Sequence, residues 1–264
     1  MADNSKARLR GSRILLAIGV VALVATIVAA ALAARRAPPA LQVGAIPYRD
    51  GETWQYRWFR DDRQIGWLTI TVASGAWDSR PAWVFTNETR MGSDPTAAPV
   101  DVTKVYADAA TLQTIRTEAT LAGPDGHYDI SLDYAPRRVT YAAQTPKGPE
   151  GGAQPLPGAT YDNDQLVMLL RALPLAPGYT SKLLCLQPRT VALYRLTLKV
   201  EGQEGVTVAG ESITCWRVSL SVNGRAQTAW YAVSPDHRMI RLQGPTGVFE
   251  LQQPAGCEGG VGGT

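Results

Sequence analysis

The chain has 264 residues, of which 45% are hydrophobic and 19% charged, a composition typical of globular domains rather than disordered chains. This length allows one large β domain or two small ones. The formal net charge is +3, and the arginines are scattered rather than interleaved with aromatic residues, which argues against a nucleic-acid partner. Seven Trp and ten Tyr against three Phe are typical of half-buried sheet faces and wet cavities.

The N-terminal region carries an uncharged run of 21 residues, Ile14–Ala34, which is long enough to cross a bilayer as a helix. Four basic residues precede the run and two follow it, so the positive-inside rule puts the preceding tail in the cytoplasm and the rest of the chain outside. A cleaved signal peptide is the alternative, because Ala31–Ala33 form an acceptable A-x-A site. Both interpretations export the domain. We therefore divide the chain into a cytoplasmic tail (1–13), a transmembrane anchor or signal peptide (14–34), a Pro/Ala linker (35–47), a β domain (48–252) and a disordered tail (253–264).

The first half of the domain alternates polar and apolar residues, which is the pattern of half-buried strands. Trp54, Tyr56 and Trp58 fall on one face of the first predicted strand. Further short antiparallel strands follow, joined by turns rich in Gly and Pro. The segment Thr145–Gly158 is itself rich in Gly and Pro, and we predict that it is a surface loop.

A single segment, Tyr161–Tyr179, has the pattern of a helix. A side chain at 162–164 can cap its N-terminus by accepting backbone N–H bonds, and Pro174 and Pro177 end it. A helix of about ten residues is marginal alone in water, so we expect it to be held against an apolar sheet face. Its apolar stripe, at the spacing i, i+3, i+4, i+7, consists of Leu166, Leu169, Leu170 and Leu173.

The second half of the domain returns to strands. In one of them Trp216 shares the inward face with every second residue up to Val222, and Asn223-Gly224 directly after it is a hairpin signal. We count ten to twelve strands and no strand–helix–strand alternation, so the sheet should be antiparallel, and a sheet this long must curl. The predicted fold is mainly β: a curled antiparallel sheet forming an unclosed barrel, with the central helix as a lid or plug, preceded by an N-terminal transmembrane helix.

Three stretches, Gly51–Val72, Tyr161–Tyr179 and Cys215–Gly244, resemble a family of uncharacterised bacterial envelope domains that is similar to the lipoprotein-carrier (LolA/LolB-like) half-barrel. The resemblance covers roughly residues 48–252. It implies an unclosed antiparallel barrel around an apolar groove, and it brings no catalytic residues with it. It does not imply lipoprotein transport. The residues that mark it are Gly51, Glu52, Tyr56, Gly66, Arg171, Pro174 and Trp230.

Catalytic chemistry finds little support in the sequence, which has no nucleophile elbow, zinc-protease motif or phosphate loop. Ser234, Asp236 and His237 lie in one turn, too close along the chain for a triad. The two His and three Cys have no metal-ligand spacing, so we predict neither a metal nor a cofactor. Outside the cytoplasm Cys185 and Cys215 can form a disulfide; the alternative is two small buried hydrophobic side chains.

The aromatic row and the apolar helix together predict a non-enzymatic, membrane-anchored domain that binds an apolar or lipid-like ligand in the half-barrel groove. Two alternatives stay open: a scaffold that engages other cell-envelope proteins through the same curved sheet, and an enzyme whose polar groups meet only after folding. The predicted location is the cell membrane, single-pass with the domain extracytoplasmic, or secreted after signal cleavage. The residues predicted to line the groove are Trp54, Tyr56, Trp58, Leu166, Leu169, Leu170, Leu173, Trp216 and Trp230.

Overall fold

The structure is a computed structural model that describes residues 38, 40–123 and 126–252. The predicted cytoplasmic tail, anchor and C-terminal tail lie outside these residues. Within the described ranges, no helix is both long and apolar enough to span a bilayer. The strands are β1 (Thr53–Arg60), β2 (Arg63–Trp77), β3 (Arg80–Met91), β4 (Asp101–Asp108), β5 (Thr114–Gly123), β6 (Gly126–Ala135), β7 (Arg138–Thr145), β8 (Gly148–Pro155), β9 (Thr160–Asp162), β10 (Thr180–Gln187), β11 (Ala192–Val208), β12 (Glu211–Val222), β13 (Arg225–Ala232), β14 (Met239–Gly244) and β15 (Gly247–Gln252). The helical elements are a 3₁₀ turn (Asn163–Gln165), the α-helix α1 (Leu166–Arg171) and a second 3₁₀ turn (Pro188–Thr190).

All fifteen strands belong to one sheet, in the order β8-β7-β6-β5-β4-β3-β2-β1-β15-β14-β13-β12-β11-β10-β9. The first strand lies in the middle, where it pairs with β2 on one side and with β15 on the other. Every pairing is antiparallel except that of β9 with β10. The prediction of a mainly β fold with one long unclosed sheet and one short α-helix is therefore confirmed for the described residues.

The prediction that Thr145–Gly158 is a surface loop is wrong, because most of this segment forms the edge strand β8. This strand pairs with β7 along its whole length, yet nearly all of its residues are exposed. Its glycines leave no apolar alternation to detect, and a β-carbon on Gly152 would come within 2.9 Å of the Tyr141 hydroxyl. Backbone pairing rather than side-chain burial forms this strand, which explains why the residue pattern missed it.

The two ends of the sheet overlap instead of pairing. The end strands β8 and β9 are consecutive in the chain and only residues 156–159 connect them, so the sheet must curl until its ends are close. Strand β10 is buried on both faces: Leu183 belongs to the main core, whereas Leu186 packs in a second cluster with Leu132 of β6 and Val139 of β7. The sheet therefore curls past its own edge, and it stays unclosed.

The helix lies inside the curl. Asp162 caps the 3₁₀ turn that precedes α1 by accepting a hydrogen bond from the backbone N–H of Asp164 at 2.7 Å, as predicted. Two tyrosines of the surrounding structure donate to helix carbonyls: the Tyr48 hydroxyl to Met168 at 2.7 Å and the Tyr231 hydroxyl to Val167 at 3.1 Å. These bonds tie the helix to the structure around it, and Met168 is one of the last four helical residues, whose carbonyls have no partner within the helix.

Arg171, the last residue of α1, carries a buried charge that ties the helix to the sheet. Its side chain is 1% exposed, and its guanidinium donates to the two carboxylate oxygens of Glu52 at 2.6 and 3.4 Å. A third bond runs from Nε to the carbonyl of Asp236. The rings of Tyr48 and Trp54 lie 5.4 and 5.6 Å from the guanidinium carbon. Burial of this charge is tolerated because the guanidinium is paired with a carboxylate and hydrogen-bonded on several sides.

The described part of the predicted linker packs on the domain. Leu41, Val43 and Ile46 pack against the main core. The Leu41 N–H donates to the Tyr161 hydroxyl at 3.1 Å, and the Gly44 N–H donates to the Ala172 carbonyl at 2.8 Å. Within the described residues, the ordered domain thus begins before residue 48.

The prediction of a disulfide between Cys185 and Cys215 is wrong, because both thiols are free and buried. They lie on β10 and β12 with β11 between them, and their partners on β11 are Tyr194 and Glu204. Ten residues of strand place the two sulfurs roughly 30 Å apart, far beyond the reach of a disulfide. Burial raises the pKa of Cys185 to about 12 and that of Cys215 to about 11, so both stay thiols at neutral pH.

Candidate functional site

A cavity of about 440 Å³ lies between the inner face of the sheet and the start of the helix. Depressions of about 420 and 540 Å³ also occur, one over the β1–β2 and β14–β15 turns and one over β5 to β8, but mainly polar and turn residues line them. The cavity inside the curl combines an apolar wall with a few polar groups, as small-molecule sites do. Its lining residues are Trp58, Leu68, Ile70, Asn87, Thr89, Asp101, Thr103, Asn163, Asp164, Leu166, Val167, Gln187, Arg189, Gln227, Leu242, Thr246 and Phe249.

The register of the strands arranges these residues from apolar to polar along the cavity floor. Leu242 of β14 pairs with Phe249 of β15, which pairs with Trp58 of β1. On the far side of β1, Leu68 of β2 begins a row that continues across β3 and ends at Asp101 of β4. At strand spacings of 4.7–4.9 Å, the apolar part from β14 to β2 spans roughly 14 Å. The cavity thus has an apolar end over β14 to β2 and a polar end at β3 and β4.

An aromatic pair forms the wall of the apolar end. The rings of Trp58 and Phe249 stack with centroids 5.4 Å apart at an interplanar angle of 15°, and the Trp58 indole N–H donates to the carbonyl of Thr246 at 2.9 Å. Gly66 lies opposite Trp58 on β2, where a β-carbon would meet the Arg90 carbonyl oxygen at 2.3 Å and the Trp58 ring at 3.2 Å. The lack of a side chain at position 66 therefore lets the indole lie flat across the sheet.

The polar end is built around Arg189, which lies in the second 3₁₀ turn and contacts β4. Its guanidinium donates to Asp101 and, at 2.9 Å, to Asp164, and it lies 3.2 Å from the Thr103 hydroxyl. Burial alone would lower the pKa of Arg189, but the charges of Asp164 and Asp101 raise it. Burial raises the pKa of Asp101 in spite of the arginine beside it. Two carboxylates therefore share one guanidinium at this end of the cavity.

Asp162 supports the polar end from the fully buried side. Its carboxylate accepts hydrogen bonds from the hydroxyls of Thr117 on β5 at 2.6 Å and Tyr134 on β6 at 2.8 Å, besides the capping bond. Burial, and then the charge of Asp164, raises the pKa of Asp162 to about 7. The carboxyl group thus joins the helix start to the two strands where the sheet overlaps itself.

Comparison with known proteins places the fold in a family. Residues 53–246 match the family described as Protein of unknown function (DUF3108). The chain belongs to this family. The crystal structure of a beta-barrel-like protein of the domain of unknown function DUF1849 from Brucella abortus is similar, at 11% sequence identity and a TM-score of 0.46, over 76% of this chain and 93% of that chain. No curated protein matches the chain.

The DUF3108 match contains every lining residue of the cavity except Phe249 on the last strand. It also contains Arg171, but it begins one residue after Glu52, the partner of that arginine. The resemblance to the lipoprotein-carrier half-barrel is not confirmed by these comparisons and stays a prediction.

The structure brings two of the predicted groove residues to the cavity, Trp58 and Leu166. Most of the others form the core, in which Tyr56, Leu169, Leu170 and Leu173 are no more than 2% exposed. Trp54 and Trp216 are half-buried and pack against that core. The helix is therefore mainly a plug, and only its first turn faces the cavity.

Trp230 lies on the opposite face of the sheet from the one predicted. It pairs with Arg217, whereas its neighbour Tyr231 pairs with Trp216 and reaches the helix. The Trp230 side chain is 8% exposed and belongs to the main core, and its indole N–H donates to Glu204. Successive residues of a strand point to opposite faces, so Trp216 and Trp230 cannot both face inward.

Sequence reasoning missed the polar half of the site. Asp101, Thr103 and Arg189 show no motif, because they meet only where the 3₁₀ turn after β10 approaches β4. Leu242 and Phe249 continue the row of Trp58 across two further strands, and nothing in their spacing along the chain indicates this. The available signal was the inward alternation of each strand, which fixes a face but not its neighbours across the sheet.

Proposed function

We propose that this domain binds a small amphiphilic, lipid-like molecule in the cavity between the sheet and the start of α1. In this proposal the chain is anchored in the membrane by residues 14–34, the domain lies outside the cytoplasm, and the role is binding rather than catalysis. The observation that carries the proposal is an aromatic and aliphatic floor left uncovered beside a densely packed core. An apolar surface of this kind is unfavourable in water unless something occupies it.

The size and composition of the cavity support a small ligand. Its volume of about 440 Å³ lies within the range of roughly 300–1,000 Å³ that small-molecule sites occupy. The floor offers Trp58 and Phe249 to the apolar part of a ligand, and the opposite end offers Asp101 and Arg189 to its polar part. A purely apolar ligand would cover the partly exposed ion pairs of the polar end without offering them a hydrogen bond, so an amphiphile fits better.

A binding role also agrees with the contacts of the polar residues near the helix. His237 places Nδ1 3.0 Å from the carbonyl oxygen of Arg171, and the Ser234 hydroxyl donates to Asp236. The order serine to histidine to aspartate that a triad requires is therefore not formed in this turn.

The test uses a matched pair of substitutions with a neutral apolar dye, Nile red. Val167 lines the cavity and is half-buried, whereas Val233 is 41% exposed on the surface. We expect Val167→Trp to fill the cavity and reduce the enhancement of Nile red fluorescence by about tenfold, and Val233→Trp to leave it unchanged. The full-length chain is held in lipid nanodiscs, with empty nanodiscs as the blank.

Native mass spectrometry of the same preparation separates the remaining alternatives. A co-purifying amphiphile that Val167→Trp excludes supports the proposal. Equal dye binding by the parent chain and by Val167→Trp, or no binding above the blank, overturns it. A stable protein partner without any small molecule would instead favour a scaffold for other envelope proteins.

A further inference from the structure

The polar end of the cavity carries an excess of negative charge. Among the described residues that line the cavity, three are charged: Asp101, Asp164 and Arg189. Their side chains are 18%, 12% and 24% exposed, so solvent screens them only partly. Two carboxylates against one guanidinium leave one negative charge, and the buried Asp162 lies behind them.

Both terminal nitrogens of Arg189 are engaged by groups of the polar end. One terminal nitrogen donates to Asp164, and the other donates to Asp101 and lies within hydrogen-bond distance of the Thr103 hydroxyl. An anionic head group would meet a guanidinium that two carboxylates already compensate, and it would raise the local charge from one negative to two. Such a head group is disfavoured by like-charge repulsion in a confined site.

Asn87 lies on the same floor. Its amide nitrogen donates to the backbone carbonyl of Asp164 at 2.6 Å, which fixes the orientation of the amide group. Its Oδ1 is buried and has no hydrogen-bond partner in the described part of the chain. Because this oxygen is closed to solvent, Asn87 positions Asp164, and the two carboxylates are the acceptors that face a ligand.

From these observations we infer that the ligand of the cavity is an amphiphilic amine, whose protonated head group lies against the carboxylates of Asp101 and Asp164. The inference rests on the proposed function and narrows it to one chemical class. An ammonium group has three donors and no acceptor, which matches two carboxylates that can each accept more than one hydrogen bond. It also brings the charge of the polar end to zero.

The distribution of charge around the apolar end sets the orientation of such a ligand. Arg60 lies at that end, with its guanidinium carbon 5.8 Å from the Trp58 ring. A cationic head group gains no carboxylate partner among the described lining residues at the Trp58 end and is attracted to the Asp101 end, so its hydrocarbon part follows the floor from β2 to β14. The elevated pKa of Asp101, which burial causes, agrees with a carboxylate that its arginine compensates only partly.

Calorimetric titration with three probes of equal chain length tests the head group. Octylamine is a cation at neutral pH, 1-octanol is neutral and octanoate is an anion. We expect the full-length chain in nanodiscs to bind octylamine at least about tenfold more tightly than octanol, a difference of about 1.4 kcal/mol, and octanoate most weakly. Empty nanodiscs provide the blank for partition into lipid.

Two Asp→Asn substitutions test whether the preference for octylamine depends on the carboxylates of the polar end. Asp101→Asn should lower the affinity for octylamine by about tenfold, so that the preference over octanol is lost. Asp129→Asn is the matched control, because Asp129 is exposed on β6 and bonded to Thr120, outside the cavity lining. A thermal melt checks that each variant folds, and Asp164→Asn replaces Asp101→Asn if the latter does not.

The outcomes separate the two proposals. Equal binding of octylamine and octanol, unchanged by Asp101→Asn, overturns the amine head group and leaves amphiphile binding standing. Tightest binding of octanoate, lost in Arg189→Met, overturns it in favour of an anionic ligand. Binding of none of the three probes above the blank overturns both the head group and the proposed function.

Discussion

The plug-like packing of α1 makes a quantitative prediction for Leu170→Ala. Leu170 is 1% exposed and belongs to the main core, so the truncation removes about three buried carbon groups, worth about 2.4 kcal/mol in transfer free energy. The surrounding sheet can close the void only in part, and the cavity adds to this cost, for a total of about 3–4 kcal/mol within the usual range of 2–5. For a domain of this size, such a loss lowers the melting temperature by roughly 6–16 °C.

Leu166→Ala is the internal comparison on the same helix. Leu166 is 8% exposed and already borders the cavity, so its truncation enlarges an existing space and creates little new void. We expect it to cost about 2 kcal/mol or less, and to change Nile red binding, whereas Leu170→Ala leaves dye binding of the folded protein unchanged. Urea unfolding followed by Trp fluorescence measures both losses. A cost below about 1 kcal/mol for Leu170→Ala, together with altered dye binding, would show that the helix is a loosely packed lid and would refute the plug.

Three further predictions follow from the buried charged and thiol groups. Glu52→Gln leaves the Arg171 guanidinium buried without its counter-charge, and we expect urea unfolding to show a loss of about 3–5 kcal/mol in the free energy of unfolding. The double variant Glu52→Gln with Arg171→Met should recover part of this loss. A loss under about 1 kcal/mol for Glu52→Gln would contradict a paired buried charge. Burial raises the pKa of Asp162 to about 7, so the folded protein keeps a proton that the unfolded chain loses near pH 4. The free energy of unfolding should therefore fall as the pH rises from about 4 to about 7, and Asp162→Asn should flatten this slope. A slope that Asp162→Asn leaves intact would contradict the raised pKa of Asp162. Cys185 and Cys215 should react with a thiol reagent only after unfolding, and a reductant should not change the melting temperature. If the unfolded chain reacts with the reagent only after a reductant has been added, the two cysteines form a disulfide.

Features that depend on one strand or one turn could be predicted from the sequence. The period-two row Trp54, Tyr56 and Trp58 lies on one inward face, because alternation along a strand is local. The turn Asn223-Gly224 has positive φ at both residues, 48° and 81°, as the hairpin prediction required. The cap at the start of the helix is equally local.

Features that depend on the path of the whole sheet could not be predicted. The buried run Leu183–Leu186 has no alternation, because the overlapping ends of the sheet cover both faces of β10. The meeting of Arg189 with Asp101 arises from the same overlap, across 88 residues of chain. A residue pattern assigns a face to each side chain, but the curl of the sheet decides which faces meet.

The central position of β1 in the sheet has a consequence for the order of folding. Every antiparallel pairing but one joins strands that follow one another in the chain, so two meanders can form from local hairpins. The exception is β1 with β15, where Tyr56 faces Leu251, and it is the seam that unites the two meanders. One edge of β1 therefore stays open until the last strand has been synthesised, and an open edge is a site of intermolecular association. Folding of the described domain is therefore completed only after Gly247–Gln252 has been synthesised, and variants that weaken this strand should aggregate during synthesis before they lose stability at equilibrium.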